Sequence, residues 1–72
     1  MRASELVTID PDILGGTPVF KGTRVPTKTL FDYLADGLSL DYFLESFPSV
    51  SRELAVEILR NSQRELEHHA AA

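Results

Sequence analysis

The residues best suited to chemistry in this sequence form the tripeptide Gly22-Thr23-Arg24. A glycine lets a ligand approach the backbone closely, and an arginine guanidinium can hold a phosphate or carboxylate through two parallel hydrogen bonds. The same residues also have a structural interpretation, in which Gly22 shapes a hairpin and Arg24 pairs within or between subunits. A nucleotide-binding P-loop is excluded, because five residues separate Gly16 from Gly22 and no Lys-Ser or Lys-Thr follows Gly22.

Two other pairs of side chains have residue types that occur in catalytic or metal sites. Asp10 and Asp12 flank Pro11, which favours a turn held by side-chain to backbone hydrogen bonds over a catalytic carboxylate pair. His68 and His69 would point about 100° apart on a helix. The chain has no cysteine and no further histidine to complete a metal site. We therefore expect no catalytic residue, no metal, no cofactor and no enzymatic activity.

Length and composition favour one small binding domain spanning residues 1–72. A core of this size is thin, and a second copy of the chain would enlarge it, so the 43% of hydrophobic residues predict a homodimer. No apolar leader follows the first two residues, and no run approaches the roughly 18 apolar residues of a membrane span. These features predict a cytoplasmic protein with no membrane partner.

The net charge of −4 argues against a general nucleic-acid binder, because non-specific affinity comes from neutralising phosphates. The charge is uneven: residues 1–28 carry four basic and three acidic side chains, and residues 29–72 carry three and eight. Any contact with DNA must therefore be local. The candidate DNA-binding residues are Lys21, Arg24, Lys28, Ser51 and Arg52.

The elements that would position these residues are short strands followed by helices. A β-prone run at 6–9 ends at an Asp-Pro-Asp turn, and two further runs, at 18–20 and 23–25, are predicted to form a small hairpin. This β region, residues 6–25, is expected to mediate dimerisation. The residues that shape its turns and strand ends are Gly15, Gly16, Pro18, Gly22, Thr23, Arg24 and Pro26.

The first predicted helix spans about residues 26–36, and Gly37 suits the left-handed cap that ends it. Its apolar face is predicted to consist of Leu30, Phe31 and Leu34. Ser39 is a favourable N-cap for a second helix, which Pro48 must end. The core-facing stripe of that helix is predicted to consist of Leu40, Phe43, Leu44 and Phe47.

Ser51 is the predicted N-cap of a third helix, which runs through Glu67. Its inward stripe is predicted to consist of Leu54, Ala55, Ile58, Leu59, Ser62 and Leu66. A short helix, a tight turn and a longer helix have the outline of a helix-turn-helix of the homeodomain or winged-helix kind, although ordinary three-helix bundles share it. The sequence thus predicts a mainly α fold with a three-helix region at 26–67 and a frayed tail at 68–72.

One stretch resembles a known family. Residues 10–26 have the sequence Asp-Pro-Asp-Ile-Leu-Gly-Gly-Thr-Pro-Val-Phe-Lys-Gly-Thr-Arg-Val-Pro, which closely resembles the signature of domain-of-unknown-function family 433. The match continues through a Leu-x-x-Gly-Leu-Ser step at 34–39 and a Phe-Pro-x-Val-Ser turn at 47–51. The resemblance covers roughly residues 6–62.

This resemblance implies the antitoxin of a VapBC-type (type II) toxin–antitoxin system, with a helix-turn-helix-like fold and an N-terminal strand region used in dimerisation. The implied partner is a PIN-like ribonuclease toxin encoded nearby, and operator DNA is a further expected partner for transcription regulation. A stand-alone DNA-binding regulator and a purely structural dimerisation module remain as alternatives. Only ten residues follow Ser62, which departs from antitoxins that wrap their toxin with a longer tail.

Overall fold

The computed structural model describes residues 2–70, without the side chains of Ala3, His69 and Ala70. In chain order its elements are α1 (Ala3–Leu6), β1 (Val7–Thr8), β2 (Val19–Phe20), α2 (Thr27–Ala35), α3 (Leu40–Ser46) and α4 (Arg52–Ala70). The predicted fold class, a mainly helical chain with a short antiparallel β region at its N-terminal end, is confirmed. The described residues contain two helical segments that the sequence does not predict: a single turn, α1, before the first strand, and a 3₁₀ turn at Leu14–Gly16.

The β region is a two-stranded antiparallel sheet in which Val7 lies opposite Phe20 and Thr8 lies opposite Val19. The strand predicted at 6–9 is therefore shorter than expected, since the first residue of that run completes α1. Both residues of β2 are fully buried. The small sheet thus serves mainly to place two apolar side chains of β2 against the helices.

The predicted second strand of the hairpin, at 23–25, is wrong. The chain returns alongside β2 only through a single bridge between Val19 and Pro26. The physical reason is a turn closed by one side chain: the Thr23 hydroxyl donates to the Phe20 carbonyl oxygen at 2.9 Å and accepts the Val25 N–H at 3.0 Å. With these groups engaged in the turn, no second strand can form over the same residues.

The loop between β1 and β2 begins with the predicted turn. The Oδ1 atom of Asp10 accepts the N–H of Asp12 at 2.9 Å, and the carbonyl oxygen of Asp10 accepts the N–H of Ile13 at 2.8 Å. Asp10 is therefore a turn residue, as the Asp-Pro-Asp pattern indicates.

Leu14 follows this turn in an unfavourable backbone conformation. Its φ is 49°, and it is the one non-glycine residue with positive φ between residues 2 and 70; its side chain is 54% exposed. A left-handed conformation costs a leucine about 1–2 kcal/mol, and asparagine tolerates it better. We expect Leu14→Asn to raise the free energy of unfolding by about 0.5–1 kcal/mol, measured by urea denaturation followed by circular dichroism.

The control for this substitution is Leu38→Asn, at an exposed leucine without positive φ. It should bring no gain in stability. A Leu14→Asn protein less stable than the unchanged chain would show that packing of the leucine outweighs the backbone strain.

The helix ends follow local chemistry. At the end of α2, Gly37 has φ of 83°, its N–H reaches the Leu34 carbonyl, and the N–H of Leu38 reaches the Tyr33 carbonyl, each at 3.0 Å. This pair of bonds satisfies carbonyl groups that the helix leaves unpaired, which confirms the predicted glycine cap.

The two serine caps are also confirmed. The Ser39 hydroxyl accepts the N–H of Tyr42 at 3.0 Å, and the Ser51 hydroxyl accepts the N–H of Leu54 at 3.1 Å. Each bond satisfies one of the free N–H groups in the first helical turn. The turn from Phe47 to Ser51 therefore separates α3 from α4 where the sequence places it.

The core forms where β2 meets the three longer helices. Its buried residues are Leu6, Val19, Phe20, Leu30, Phe43, Val50, Ala55 and Ile58. Phe43 lies among aromatic rings, with centroid distances of 5.9 Å to Phe20, 5.5 Å to Tyr33 and 5.1 Å to Phe47. The predicted stripe of the second helix is confirmed, because its other three members pack against this core.

Two predicted core residues are wrong. Phe31 of α2 is 37% exposed, and Leu66 of α4 is 72% exposed. The last buried residue of α4 is Ile58, so the helix runs on beyond the surface that could cover Leu66.

α4 continues to Ala70, three residues past the predicted end of the last helix at Glu67. A side-chain hydrogen bond of 3.1 Å from Gln63 to Glu67 supports this last part of the helix. Ala71 and Ala72, the rest of the predicted tail, lie outside the described residues. None of the helices described between residues 2 and 70 is long and apolar enough to cross a membrane.

Candidate functional site

An open groove forms where the β region meets the turn between α3 and α4. Its volume is about 480 Å³, and it is lined by Thr8, Ile13, Gly22, Thr23, Arg24 and Ser49. The groove therefore joins residues from 10–26 and 47–51, two stretches with distinctive sequence patterns. We call it the Arg24 groove.

Arg24 is the one charged residue among the six that line this groove, and none of the six is acidic. The guanidinium is exposed, and no other described residue is its hydrogen-bond or ion-pair partner. The predicted pairing of Arg24 inside the subunit is thus not found within residues 2–70. The groove keeps a local positive charge in a chain whose net charge is −4.

The turn that carries Arg24 is held in its conformation by a glycine and by two hydrogen bonds of the Thr23 hydroxyl. Gly22 has φ of 78°, a conformation that favours glycine, and the Thr23 hydroxyl is engaged with the backbone on both sides of the turn. In the Gly-Thr-Arg tripeptide, Gly22 and Thr23 therefore form the turn, and Arg24 places a positive charge at the groove.

Two of the other predicted DNA contacts are engaged elsewhere. The ammonium group of Lys21 donates to the carbonyl oxygen of Ser4 at 3.2 Å, and that of Lys28 lies 3.7 Å from the carboxylate of Asp32. Neither lysine lines the Arg24 groove. The predicted DNA-binding set is thus divided: Arg24 lines this groove without the other candidates, whereas Lys21 and Ser51 line a second depression together.

The start of α4, where a helix-turn-helix would contact base edges, is occupied by contacts within the chain. Ser51 caps the helix, and the guanidinium of Arg52 forms an ion pair with the carboxylate of Asp41. Helix α1 packs against α4, and Glu5, Lys21 and Glu53 share a shallow depression with Ser51. This end of α4 is therefore partly covered, and two acidic side chains and one basic side chain lie beside it.

The opposite, C-terminal end of α4 is exposed. Residues 63–70, which we call the projecting segment, follow the last core contacts of the helix, and the side chains described in it are exposed. Leu66 is the most exposed large hydrophobic side chain of the described residues. It lies seven positions after Leu59, so it continues the stripe that packs on the core.

Sequence reasoning missed three groove residues: Thr8, Ile13 and Ser49. Each has an ordinary local role in a strand, a loop or a turn, so no sequence signal marks it. Nor do residues 2–70 place three His, Cys, Asp or Glu side chains close enough to hold a metal ion.

Comparison with known proteins identifies relatives for this fold. A family model described as "Protein of unknown function (DUF433)" matches residues 7–60. An uncharacterised protein of Sinorhizobium fredii (strain NBRC 101917 / NGR234) is 51% identical over 51 residues, which are 71% of this chain and 23% of that protein. The chain thus spans less than a quarter of that relative's length.

A crystal structure of a DUF433 member from Anabaena variabilis ATCC 29413 has a TM-score of 0.65. The alignment covers 94% of this chain and 70% of the other, at 22% sequence identity, and so supports the fold alone. The family match extends over the Gly-Thr-Arg turn and the turn between α3 and α4. The chain therefore belongs to the DUF433 family.

Proposed function

We propose that this chain is a protein-binding module, the antitoxin of a type II toxin–antitoxin pair of the VapBC kind. It binds a PIN-like ribonuclease and blocks access to its active site. The class of partner comes from the family resemblance. The observation that carries the proposal is the projecting segment of α4, which holds Leu66 72% exposed beyond the core.

A helix with an exposed apolar residue is a recurrent ligand for a hydrophobic groove on another protein. On the surface of α4, the neighbours of Leu66 three and four positions earlier are Gln63 and Ser62. An apolar anchor with polar neighbours is the usual arrangement of a binding hot spot and its polar rim. The projecting segment is therefore the proposed contact surface for the toxin.

The proposal includes a homodimer in the cytoplasm that pairs through the β region. Ile9, which follows β1, is 66% exposed, so this region leaves apolar surface that a second copy can cover. Autorepression through operator DNA is a secondary part of the proposal. It is less favoured by the start of α4, where Arg52 is paired and α1 covers the helix.

Co-expression with the adjacent small reading frame tests this function. We expect the two proteins to co-purify as one complex, measured by native mass spectrometry, and the complex to lack the ribonuclease activity of the separated partner. A PIN-like ribonuclease from an unrelated locus is the control and should remain active. If the two proteins elute separately while this chain alone retards its own promoter fragment, the alternative of a DNA-binding regulator is correct.

A further inference from the structure

The Arg24 groove has no part in the proposed contact with a toxin, and its chemistry points to a different ligand. Its one charged lining residue is an arginine without a partner among residues 2–70. The carboxylate of Asp10, in the same loop as Ile13, is turned to its own backbone and accepts the N–H of Asp12. The positive charge of Arg24 in the groove is therefore available to bind an anion.

The hydroxyl groups of the groove add donors from two other directions. Thr8 and Ser49 line it from β1 and from the turn before α4, and their hydroxyls have no hydrogen-bond partner among the described residues. Thr23 does not contribute a donor, because its hydroxyl hydrogen is used by the Phe20 carbonyl. One guanidinium and two hydroxyl groups on separate segments suit an anion with oxygens in several directions.

A tetrahedral phosphate presents oxygens in this way, whereas a carboxylate presents two oxygens in one plane. Guanidinium groups bind phosphate through charge-assisted pairs of hydrogen bonds. A nucleic-acid strand is a poor occupant, because one arginine cannot offset the repulsion between a polyanion and a chain of charge −4. A small ligand with a single phosphate meets much less of that repulsion than a polyanion does.

The size of the groove indicates that the ligand is more than a free phosphate ion. A volume of about 480 Å³ lies within the range of pockets for small organic molecules. The side chain of Ile13 gives part of the wall an apolar character. We propose that the Arg24 groove binds the phosphate monoester of a small organic molecule, held by Arg24 with Thr8 and Ser49. This site does not depend on the proposed antitoxin function.

The test is a titration of ¹⁵N-labelled protein with adenosine 5′-monophosphate, ribose 5-phosphate, inorganic phosphate, adenosine and acetate, read by amide chemical shifts. We expect the two esters to shift the amides of Thr8, Gly22–Arg24 and Ser49 in a saturable manner at millimolar concentrations. Inorganic phosphate should bind more weakly than the esters, and adenosine and acetate should leave these amides unshifted.

Arg24→Gln should weaken ester binding at least about tenfold, because a charged hydrogen-bond donor is lost. The matched control is Arg60→Gln, at an exposed arginine of α4 outside the groove, which should bind like the unchanged chain. Ser49→Ala provides a second groove variant that removes no charge, and it should bind the esters several-fold more weakly. Ester shifts that persist unchanged in Arg24→Gln, tighter binding of acetate or inorganic phosphate than of the esters, or no localised shifts would each overturn the proposal.

Discussion

Phe43→Ala is expected to lower the free energy of unfolding by about 3–5 kcal/mol, the largest effect of any single change proposed for this chain. Phe43 is fully buried, and its ring lies within 6 Å of the rings of Phe20, Tyr33 and Phe47. The cavity left by alanine would therefore remove packing contacts with β2, with α2 and within α3. A domain of 72 residues has a total stability of about 4–11 kcal/mol. The variant should accordingly retain at most about 8 kcal/mol, and at the low end of this range it should be largely unfolded.

Urea denaturation followed by circular dichroism measures this loss. The matched control is Phe31→Ala, which removes the same atoms from a side chain that is 37% exposed. It should cost less than about 1 kcal/mol, since the site can refill with water. Equal losses for the two variants would contradict the central position of Phe43 in the core.

Leu66→Gln is expected to weaken binding of the ribonuclease partner by at least about 30-fold, which corresponds to a hot-spot contribution of roughly 2 kcal/mol. The leucine would leave water for an apolar groove on the partner, and glutamine cannot bury its amide there without a cost. The free energy of unfolding should stay within about 0.5 kcal/mol of the unchanged chain, because Leu66 makes no contact with the core. Affinity is measured by isothermal titration calorimetry with the purified partner.

Arg64→Gln is the control, because it introduces the same amide on the opposite side of the projecting segment, about 200° around the helix from Leu66. Its affinity should change less than about threefold. If both variants bind the partner as tightly as the unchanged chain, the projecting segment is not the contact surface. If Leu66→Gln unfolds the protein, the leucine belongs to a core contact and the proposal loses its main observation.

The two proposed sites lie on separate parts of the molecule and can be tested separately. The Arg24 groove is formed by the β region and the turn before α4, whereas Leu66 lies in the last turns of α4. Arg24→Gln should therefore leave affinity for the ribonuclease unchanged, and Leu66→Gln should leave the ester titration unchanged. Loss of one activity does not remove support for the other.

The sequence by itself determined the three longer helices and the family. A serine cap and a glycine cap act through hydrogen bonds within one helical turn, so Ser39, Ser51 and Gly37 mark their helix ends whatever surrounds them. The spacing of Leu40, Phe43 and its neighbours likewise indicates which face of α3 is buried. The Asp-Pro-Asp turn belongs to the same class of short-range features.

Only the tertiary structure decided how these parts combine. Periodicity indicates which face of α4 is apolar, but it does not indicate how far the core extends beneath that face. For this reason Leu66, which the pattern places in the core, is exposed to solvent. Residues 23–25, which were expected to form a strand, instead form a turn that the Thr23 hydroxyl closes. Thr8 and Ser49 line one groove with Arg24, although they lie 16 and 25 residues away from it along the chain. Contacts of that range depend on how the elements pack, and packing has no local signature in the sequence.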